Sequence, residues 1–259
     1  MVERIGIIGV GHLASYLVEG LRKTAPEVSI VLSRHLGTHT ERLVAEWGAT
    51  PAGDNQAVAD AASLVLVATR PPDLLPACRE VSFRGSHTVI STAVGVPLAE
   101  VQDAVWPARA VRAMPLTCSA VNQSPTLLHP DDPWARALFE RLGSVLALER
   151  EDQFTPASAI AAYYGWIYAL LDQAVDWTVR AGVHAGTARK LVLETTRGAA
   201  EMGLAYPDQE LSQLLDSLAT PGGITRQGLD VLAAQGSLGA WREALDVVLD
   251  RLRCPEPDS

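Results

Sequence analysis

A short glycine-rich segment near the start of the chain has the residue types that bind a diphosphate. Residues 9–14 read G-V-G-H-L-A and stand between the apolar run 5–8 and a helical pattern. Gly9 permits a tight turn, Gly11 lets backbone N–H groups approach a pyrophosphate, and Ala14 lets the helix pack closely on the strand. The helix start then offers unpaired N–H donors to the phosphates. The alternative is a purely structural glycine turn. The residues expected to contact a dinucleotide here are Gly9, Gly11, His12 and Leu13.

The residues after the second apolar run, 29–32, indicate which dinucleotide would bind. Ser33 and Arg34 follow this run, and no carboxylate occurs before Glu41. An acidic residue at this point accepts hydrogen bonds from a ribose 2′-OH, whereas an arginine forms charge-assisted bonds with a 2′-phosphate. We therefore predict NADPH as the cofactor, with Ser33 and Arg34 as ligands. The alternative is an exposed arginine at the start of a loop.

A frame of alternating strands and helices is predicted to position these residues. Strands separated by amphipathic segments imply crossover connections and a parallel sheet, and uncharged runs such as 64–68 suit strands covered on both faces. We predict a Rossmann-type, doubly wound α/β domain over residues 1–150. The predicted strands are 4–8, 29–32, 64–68, 88–90, 110–112 and 145–148.

The strand pattern ends near residue 151, and the remaining sequence predicts an all-helical domain over residues 151–259. Ala, Leu, Glu and Arg recur there at helical spacing, as in 187–202 and 238–252. Residues 154–171 carry no charge, which approaches the minimum length of a spanning helix. No positively charged flank accompanies them, so we predict a helix buried in a dimer rather than a membrane span.

Composition argues against several other classes of function. The net charge of −9 and the absence of a Lys/Arg run argue against a nucleic-acid partner. Three widely spaced cysteines in no C-x-x-C pair are typical of reduced thiols in a cytoplasmic protein. The first apolar run is too short and too rich in glycine for a signal peptide. His35 and His39 have no third ligand nearby, so we expect no metal site.

Segments of the first domain resemble the pyrroline-5-carboxylate reductase family. The G-V-G-H-L-A segment and the Ser33-Arg34 pair are similar to that family's cofactor loop. Residues 68–72, A-T-R-P-P, are similar to its loop after the fourth strand, which usually carries Lys-Pro and passes the cofactor. Residues 111–117, V-R-A-M-P-L-T, are similar to its V-R-x-M-P-N-T segment. The cofactor-binding candidates that this resemblance adds are Ala68, Arg70, Pro71 and Met114.

The second half of the chain continues the resemblance. Residues 198–202 are similar to part of the family's helical domain, and residues 220–225, T-P-G-G-I-T, resemble its S-P-G-G-x-T loop, which holds the carboxylate of a cyclic imine. Pro-Gly-Gly gives a bend whose following N–H groups can form an anion nest at a helix start. The alternative is a helix-breaking turn with an N-cap threonine. The substrate-binding candidates are Thr220, Gly222, Gly223 and Thr225.

The resemblance implies both an architecture and a reaction. It implies a helical domain that interlocks with a second subunit, and hence a homodimer or a higher homo-oligomer. It also implies hydride transfer from NADPH to the C=N bond of a small, carboxylated cyclic imine. The imine nitrogen requires a proton, for which Tyr163, Tyr164 and Thr225 are the candidate donors. A tyrosine in an uncharged helix is more often a packing residue.

The sequence departs from the family at positions near the expected substrate. Residues 158–164 read S-A-I-A-A-Y-Y where the family has S-G-S-G-P-A-Y, and Trp166 follows. Leu116 replaces an asparagine, and Cys118 stands where proline is common. These changes favour an altered imine or pyrroline-type substrate. Two alternatives stay open. One is a reductase of another carbonyl or hydroxy-acid substrate; such enzymes often use a lysine of the helical domain as acid, and that Lys190 is the only candidate argues mildly against this alternative. The other is a non-catalytic dinucleotide sensor.

Overall fold

The computed structural model describes residues 3–33 and 38–254. The chain divides into two compact units. The first comprises residues 1–158 together with 251–259, and the second comprises residues 159–250.

The first unit is built on one sheet, which has eight strands in the described part of the chain. The strands are β1 (Arg4–Ile8), β2 (Ser29–Leu32), β3 (Thr50–Pro51), β4 (Leu64–Val67), β5 (Thr88–Ser91), β6 (Arg109–Met114), β7 (Thr126–His129) and β8 (Val145–Ala147). Their order across the sheet is β3-β2-β1-β4-β5-β6-β7-β8, and every neighbouring pair is parallel except β6 and β7. The strand order reverses between β1 and β4. In open α/β sheets, ligands bind at this switch point, outside the carboxyl ends of the strands.

Helices cover both faces of this sheet. They are α1 (His12–Thr24), α2 (Thr38–Trp47), α3 (Asn55–Ala61), α4 (Pro71–Arg79), α5 (Leu98–Val105), α6 (Pro133–Phe139) and α7 (Phe154–Ser158). Alternate residues of β4 point to opposite faces, as its pleat requires. Leu64 and Leu66 join the hydrophobic cluster that contains α1, whereas Val65 and Val67 join the cluster that contains α4. The predicted doubly wound fold class is therefore confirmed.

Two strands lie outside the sequence prediction. β3 has only two residues, both exposed, and pairs with β2 alone. β7 runs antiparallel to β6, with Arg112 opposite His129, and adds a reversed strand to a sheet predicted to be parallel. Both strands owe their conformation to a neighbouring strand, since neither shows a period of its own.

The second unit is helical. Its helices are α8 (Ile160–Arg180), α9 (Ala185–Ala205), α10 (Leu211–Leu218), α11 (Ile224–Ala234) and most of α12 (Ser237–Arg253). The only buried residues between 159 and 250 are three alanines, Ala159, Ala188 and Ala219, and Ile224 is 88% exposed. Among the described residues, no helix combines the length and apolar character that crossing a membrane requires.

Candidate functional site

The glycine loop joins β1 to α1 at the switch point of the sheet. Gly9 has φ +88°, and a Cβ there would lie 2.7 Å from the backbone nitrogen of Thr69, so only glycine fits. Among the described residues other than its chain neighbours, no atom lies within 4 Å of the position that a Cβ of Gly11 would occupy. In the part of the chain that the structure describes, no side chain caps the first turn of α1, which begins at His12 and Leu13. Open space therefore faces uncapped N–H donors, and these residues fit a dinucleotide diphosphate.

Ser33 connects the end of β2 to the same loop. Its Oγ accepts a hydrogen bond from the Gly9 backbone N–H at 3.1 Å, and its own N–H donates to the Ile7 carbonyl at 2.8 Å. The residue is buried at 6% exposure. Because the Ser33 oxygen acts as an acceptor toward Gly9, its hydroxyl proton can serve another acceptor. The predicted phosphate ligand Arg34 lies outside the described residues.

The loop after β4 lies on the other side of Gly9. The Ala68 N–H donates to the Ile8 carbonyl at 2.7 Å, and Pro71 begins α4 with Arg70 as its N-cap residue. The Arg70 guanidinium is exposed and pairs with Asp73 at 2.9 Å. The structure therefore brings Ala68, Arg70 and Pro71 to the switch point, and their contact with a cofactor stays a prediction.

Thr69 belongs to the same loop, but sequence reasoning did not select it. Its Oγ1 is buried and has no hydrogen-bond partner among the described residues. A polar atom in this state costs free energy, and a ligand at the switch point could satisfy it.

The ends of β5 and β6 complete this edge of the sheet. Met114, a predicted cofactor residue, ends β6 and is 6% exposed. The loop after β5, which sequence reasoning missed, lies between the loops after β4 and β6. In this loop the Thr92 Oγ1 donates to the Val67 carbonyl at 3.3 Å, and the Ala93 N–H donates to the Ser91 Oγ at 3.3 Å. The one sequence signal was the Ser-Thr pair that follows the predicted strand 88–90.

A buried charge lies two residues before Met114. Arg112 is 3% exposed and donates to Glu151 Oε1 at 3.0 Å, and its guanidinium stacks 4.2 Å from the ring centroid of Phe154. The same Glu151 oxygen accepts the Leu98 N–H. Burial lowers the pKa of Arg112, and the Glu151 carboxylate opposes that shift. This ion pair holds β6, α5 and the start of α7 together beside the predicted cofactor edge.

The predicted substrate loop in the helical unit forms a type II turn. The Gly223 N–H donates to the Thr220 carbonyl at 2.9 Å, Pro221 and Gly222 occupy the two central positions, and Gly222 has the positive φ of +77° that this turn requires. Gly223 then caps α11 without a side-chain hydrogen bond, and Thr225 is exposed in the first turn. The uncapped N–H groups make this helix start able to bind an anion.

Arg226 adds a positive charge next to this turn, and sequence reasoning missed it. Its Nε donates to the Ala219 carbonyl at 3.2 Å, and it pairs with Asp216 at 3.5 Å. These contacts tie the end of α10 to the start of α11.

The two candidate tyrosines lie next to each other on α8 but have different neighbours. The Tyr163 ring meets Trp241 edge-on, with centroids 5.6 Å apart, and Trp166 lies 6.2 Å from the same indole. The Tyr164 hydroxyl lies 3.0 Å from that of Tyr168. Tyr163 therefore packs in an aromatic cluster, whereas Tyr164 belongs to a pair of hydroxyls.

Comparison with known proteins places the chain in a family. Residues 4–95 match the family model described as NADP oxidoreductase coenzyme F420-dependent, and residues 151–253 match pyrroline-5-carboxylate reductase dimerisation. The pyrroline-5-carboxylate reductase of Synechocystis sp. is 30% identical over 258 residues, which are 95% of each chain. That of Pseudomonas aeruginosa is 27% identical over 263 residues, covering 96% of this chain and 95% of the relative.

Solved structures agree with these matches over the full length. Pyrroline carboxylate reductase from Plasmodium falciparum, solved with NADP bound, superposes with a TM-score of 0.85 at 20% identity and 98% coverage of both chains. The Coxiella burnetii pyrroline-5-carboxylate reductase gives a TM-score of 0.81 at 26% identity, with 97% of each chain covered. The chain belongs to the pyrroline-5-carboxylate reductase family, a family of NAD(P)-dependent oxidoreductases.

Proposed function

We propose that this protein uses NADPH to reduce the C=N bond of a small, carboxylated cyclic imine. The observation that carries the proposal is the loop at Gly9 and Gly11, where open space faces uncapped helix N–H groups at the switch point of the sheet. Family membership supports the reaction class, since the relatives are named for reduction of pyrroline-5-carboxylate.

Different residues of the first unit would bind different parts of the cofactor. The first turn of α1, at His12 and Leu13, binds the diphosphate through backbone N–H groups. Ser33 and Arg34 bind the adenosine 2′-phosphate. A second set lies toward the nicotinamide, which supplies a hydride when it is bound. The members of that set are Ala68, Arg70, Pro71 and Met114.

The residues of the helical unit would bind and protonate the substrate. The turn at Thr220, Gly222 and Gly223 and the first turn of α11 bind the carboxylate through N–H and hydroxyl groups. As the imine carbon gains the hydride, the nitrogen takes a proton and the C=N bond becomes a C–N single bond. The proton donor is one of Tyr163, Tyr164 and Thr225. Tyr164 is supported best, because its hydroxyl lies 3.0 Å from that of Tyr168, which can return a proton.

The same unit supports a homodimer. Residues 159–250 bury only three alanines, while Leu204 is 76% exposed and Leu211 is 71% exposed. A unit that lacks buried large apolar side chains cannot offset its conformational entropy alone. We propose that the domain from residue 151 to 259 joins a second copy of itself, while residues 1–150 bind the cofactor. Mass measurement in solution tests this assembly, and a monomer at every concentration would contradict it.

The substrate test is the loss of NADPH absorbance with a panel of cyclic imines that differ in ring size and in the presence of a carboxylate. We expect turnover to be fastest with carboxylated rings. Thr225→Ala should raise KM for these substrates, whereas Thr187→Ala, an exposed threonine in the first turn of α9, should leave KM unchanged. NADPH binding without turnover on any imine would favour the non-catalytic sensor instead.

Arg34→Ala tests the choice of cofactor. This variant should weaken NADPH far more than NADH, because only NADPH carries the phosphate to which arginine would bind. Equal losses for the two coenzymes in titrations of the purified protein would remove Arg34 from the phosphate site.

One structural feature favours a substrate other than pyrroline-5-carboxylate within the same reaction class. Tyr163 and Trp166 occupy a segment in which the family has small residues, and both rings meet Trp241. Bulky, mutually packed rings change the shape of any pocket beside α8. We expect the panel to rank a differently substituted or differently sized imine above pyrroline-5-carboxylate.

A further inference from the structure

Two histidines lie side by side next to the glycine loop. His12 is the first residue of α1, and His39 is the second residue of α2. Their rings meet edge to face with centroids 4.5 Å apart and an interplanar angle of 69°. His12 is exposed and His39 is partly exposed, so both rings can meet a ligand. The proposed function uses neither side chain.

Ser15 fixes the orientation of the His39 ring. The Ser15 Oγ lies 3.1 Å from the Gly11 carbonyl oxygen, to which it donates, and 3.2 Å from His39 Nδ1. A hydroxyl has one proton, so with that proton on Gly11 its oxygen can only accept from His39 Nδ1–H. His39 therefore holds a proton on Nδ1, and its Nε2 is the ring nitrogen left to face a ligand.

The charged groups around the pair leave it without a carboxylate partner. The recess between α1 and α2 that contains both rings is also lined by Tyr16, Glu19 and Arg42. Glu19 bonds Lys23 at 2.8 Å, and Arg42 bonds Glu46 at 2.8 Å. Within the described residues, no carboxylate is hydrogen-bonded to either imidazole. An anion that binds here would therefore supply the negative charge that favours the protonated form.

The position of the pair indicates which anion that is. His12 opens the helix whose start faces the open space at Gly11, and α2 follows the end of β2 at Ser33. In this fold the adenosine ribose and its 2′ substituent are recognised after β2. The two imidazoles thus lie between the diphosphate side and the 2′ side of a bound dinucleotide.

We propose that His39, with His12 against it, is a specificity-determining contact for the 2′-phosphate of NADPH, and that the choice between NADPH and NADH therefore depends on pH. The inference rests on the proposed use of a dinucleotide. A phosphate bound beside the two rings would supply a negative charge to them, so phosphate binding and proton uptake favour each other. Lowering the pH should therefore tighten NADPH binding and leave NADH binding unchanged, because only NADPH carries the 2′-phosphate.

The test is a titration of the full-length protein with each coenzyme between pH 6.5 and 8, followed by calorimetry in two buffers of different ionisation enthalpy. If one proton is taken up, the Kd for NADPH should rise about fivefold or more over this interval, since coupling to one proton allows at most about tenfold per pH unit. The Kd for NADH should change less than about twofold over the same interval. His39→Asn keeps an N–H donor for Ser15 but cannot titrate, so its NADPH affinity should lose the pH dependence.

Two control variants separate the pair from other histidines. His184→Asn retains an N-cap acceptor on α9 in the other unit and should behave as the unchanged protein does. His35→Asn should keep the pH dependence, because the inference assigns it to His39 and His12 alone. Unchanged NADH binding by His39→Asn shows that this variant is folded.

The outcomes separate this inference from the proposed function. NADPH affinity that is flat with pH, a dependence that survives in His39→Asn, or one that vanishes in His35→Asn overturns the role of the histidine pair and leaves the reductase proposal intact. If the unchanged protein binds neither coenzyme, both proposals fail.

Discussion

Replacing Glu151 with alanine removes the carboxylate that Arg112 needs inside the protein. The arginine is 3% exposed, and its NH1 donates to Glu151 Oε1 at 3.0 Å. Its Nε already lacks a hydrogen-bond partner within the described residues. The same substitution frees the Leu98 N–H, which Glu151 also accepts. The folded state would then retain a buried cation for which the Phe154 ring is the only remaining compensation among the described residues.

The size of the loss follows from these contacts. Removing one partner of a buried ion pair costs about 3–5 kcal/mol. The Glu151 side chain is 35% exposed, so water can reach part of the site, and we expect a loss of about 2–4 kcal/mol. In a protein of this size that corresponds to a decrease in Tm of roughly 5–12 °C. Glu151→Gln keeps an oxygen acceptor for both donors and should lose about half as much.

Thermal unfolding and hydrogen exchange measure this effect. We expect faster exchange at the Leu98 amide and along β6 in Glu151→Ala. The matched control is Asp152→Ala, which breaks an ion pair to Arg150. The two side chains are 67% and 68% exposed, so this substitution should lower Tm much less than Glu151→Ala. Equal losses in the two alanine variants would show that the buried Arg112 does not depend on Glu151.

Three further predictions follow from single side chains. Gly11→Leu should abolish dinucleotide binding without lowering Tm, because none of the described residues beyond its chain neighbours lies within 4 Å of its Cβ position. Gly9→Ala should unfold at a lower temperature, because a Cβ there meets backbone at 2.7 Å, and equal Tm values for the two variants would contradict this. Burial, and to a smaller extent the charge of Arg84, lowers the pKa of His87. The contribution of His87 to stability is therefore complete above the unfolded pKa of about 6.5 and is lost as the pH falls toward the folded pKa. Urea midpoints measured from pH 7.5 to 5 should fall less in His87→Asn than in the unchanged protein. Burial raises the pKa of Cys78 to about 11. Iodoacetamide at neutral pH should therefore label the exposed Cys254 of the native protein and leave Cys78 unmodified, as mass spectrometry can show. Rapid labelling of both cysteines would refute the burial of Cys78.

The cofactor side of the fold could be predicted because its signals are local. β1, the turn at Gly9 and the start of α1 occupy one continuous segment, and each has its own requirement: an apolar run, a positive φ and a small residue. The run at β4 was recognised for the same reason, since strands covered on both faces are apolar throughout. Neither signal depends on knowing which strands are neighbours.

The parts that sequence reasoning missed depend on neighbours. Thr92 reaches the cofactor edge only because β5 lies between β4 and β6, and strand order is not encoded in the period of any one strand. Arg112 and Glu151 are far apart in the chain, and neither residue type indicates burial by itself. β7 has no alternating pattern and is held by its antiparallel pairing with β6.

The helical unit shows the opposite relation between pattern and burial. Its apolar residues recur at helical spacing, which correctly predicts α9 and α12. The same spacing also indicates buried apolar faces, but these faces are exposed in the single chain: Leu204 is 76% exposed and Ile224 is 88% exposed. The aromatic residues behave differently. Tyr163 and Trp166 already have a partner in Trp241, so this cluster is formed within one unit. The proposed dimer would cover the aliphatic faces. The substituted segment on α8, in contrast, is shaped by contacts within this unit, which makes Trp241 the residue to vary when substrate choice is tested.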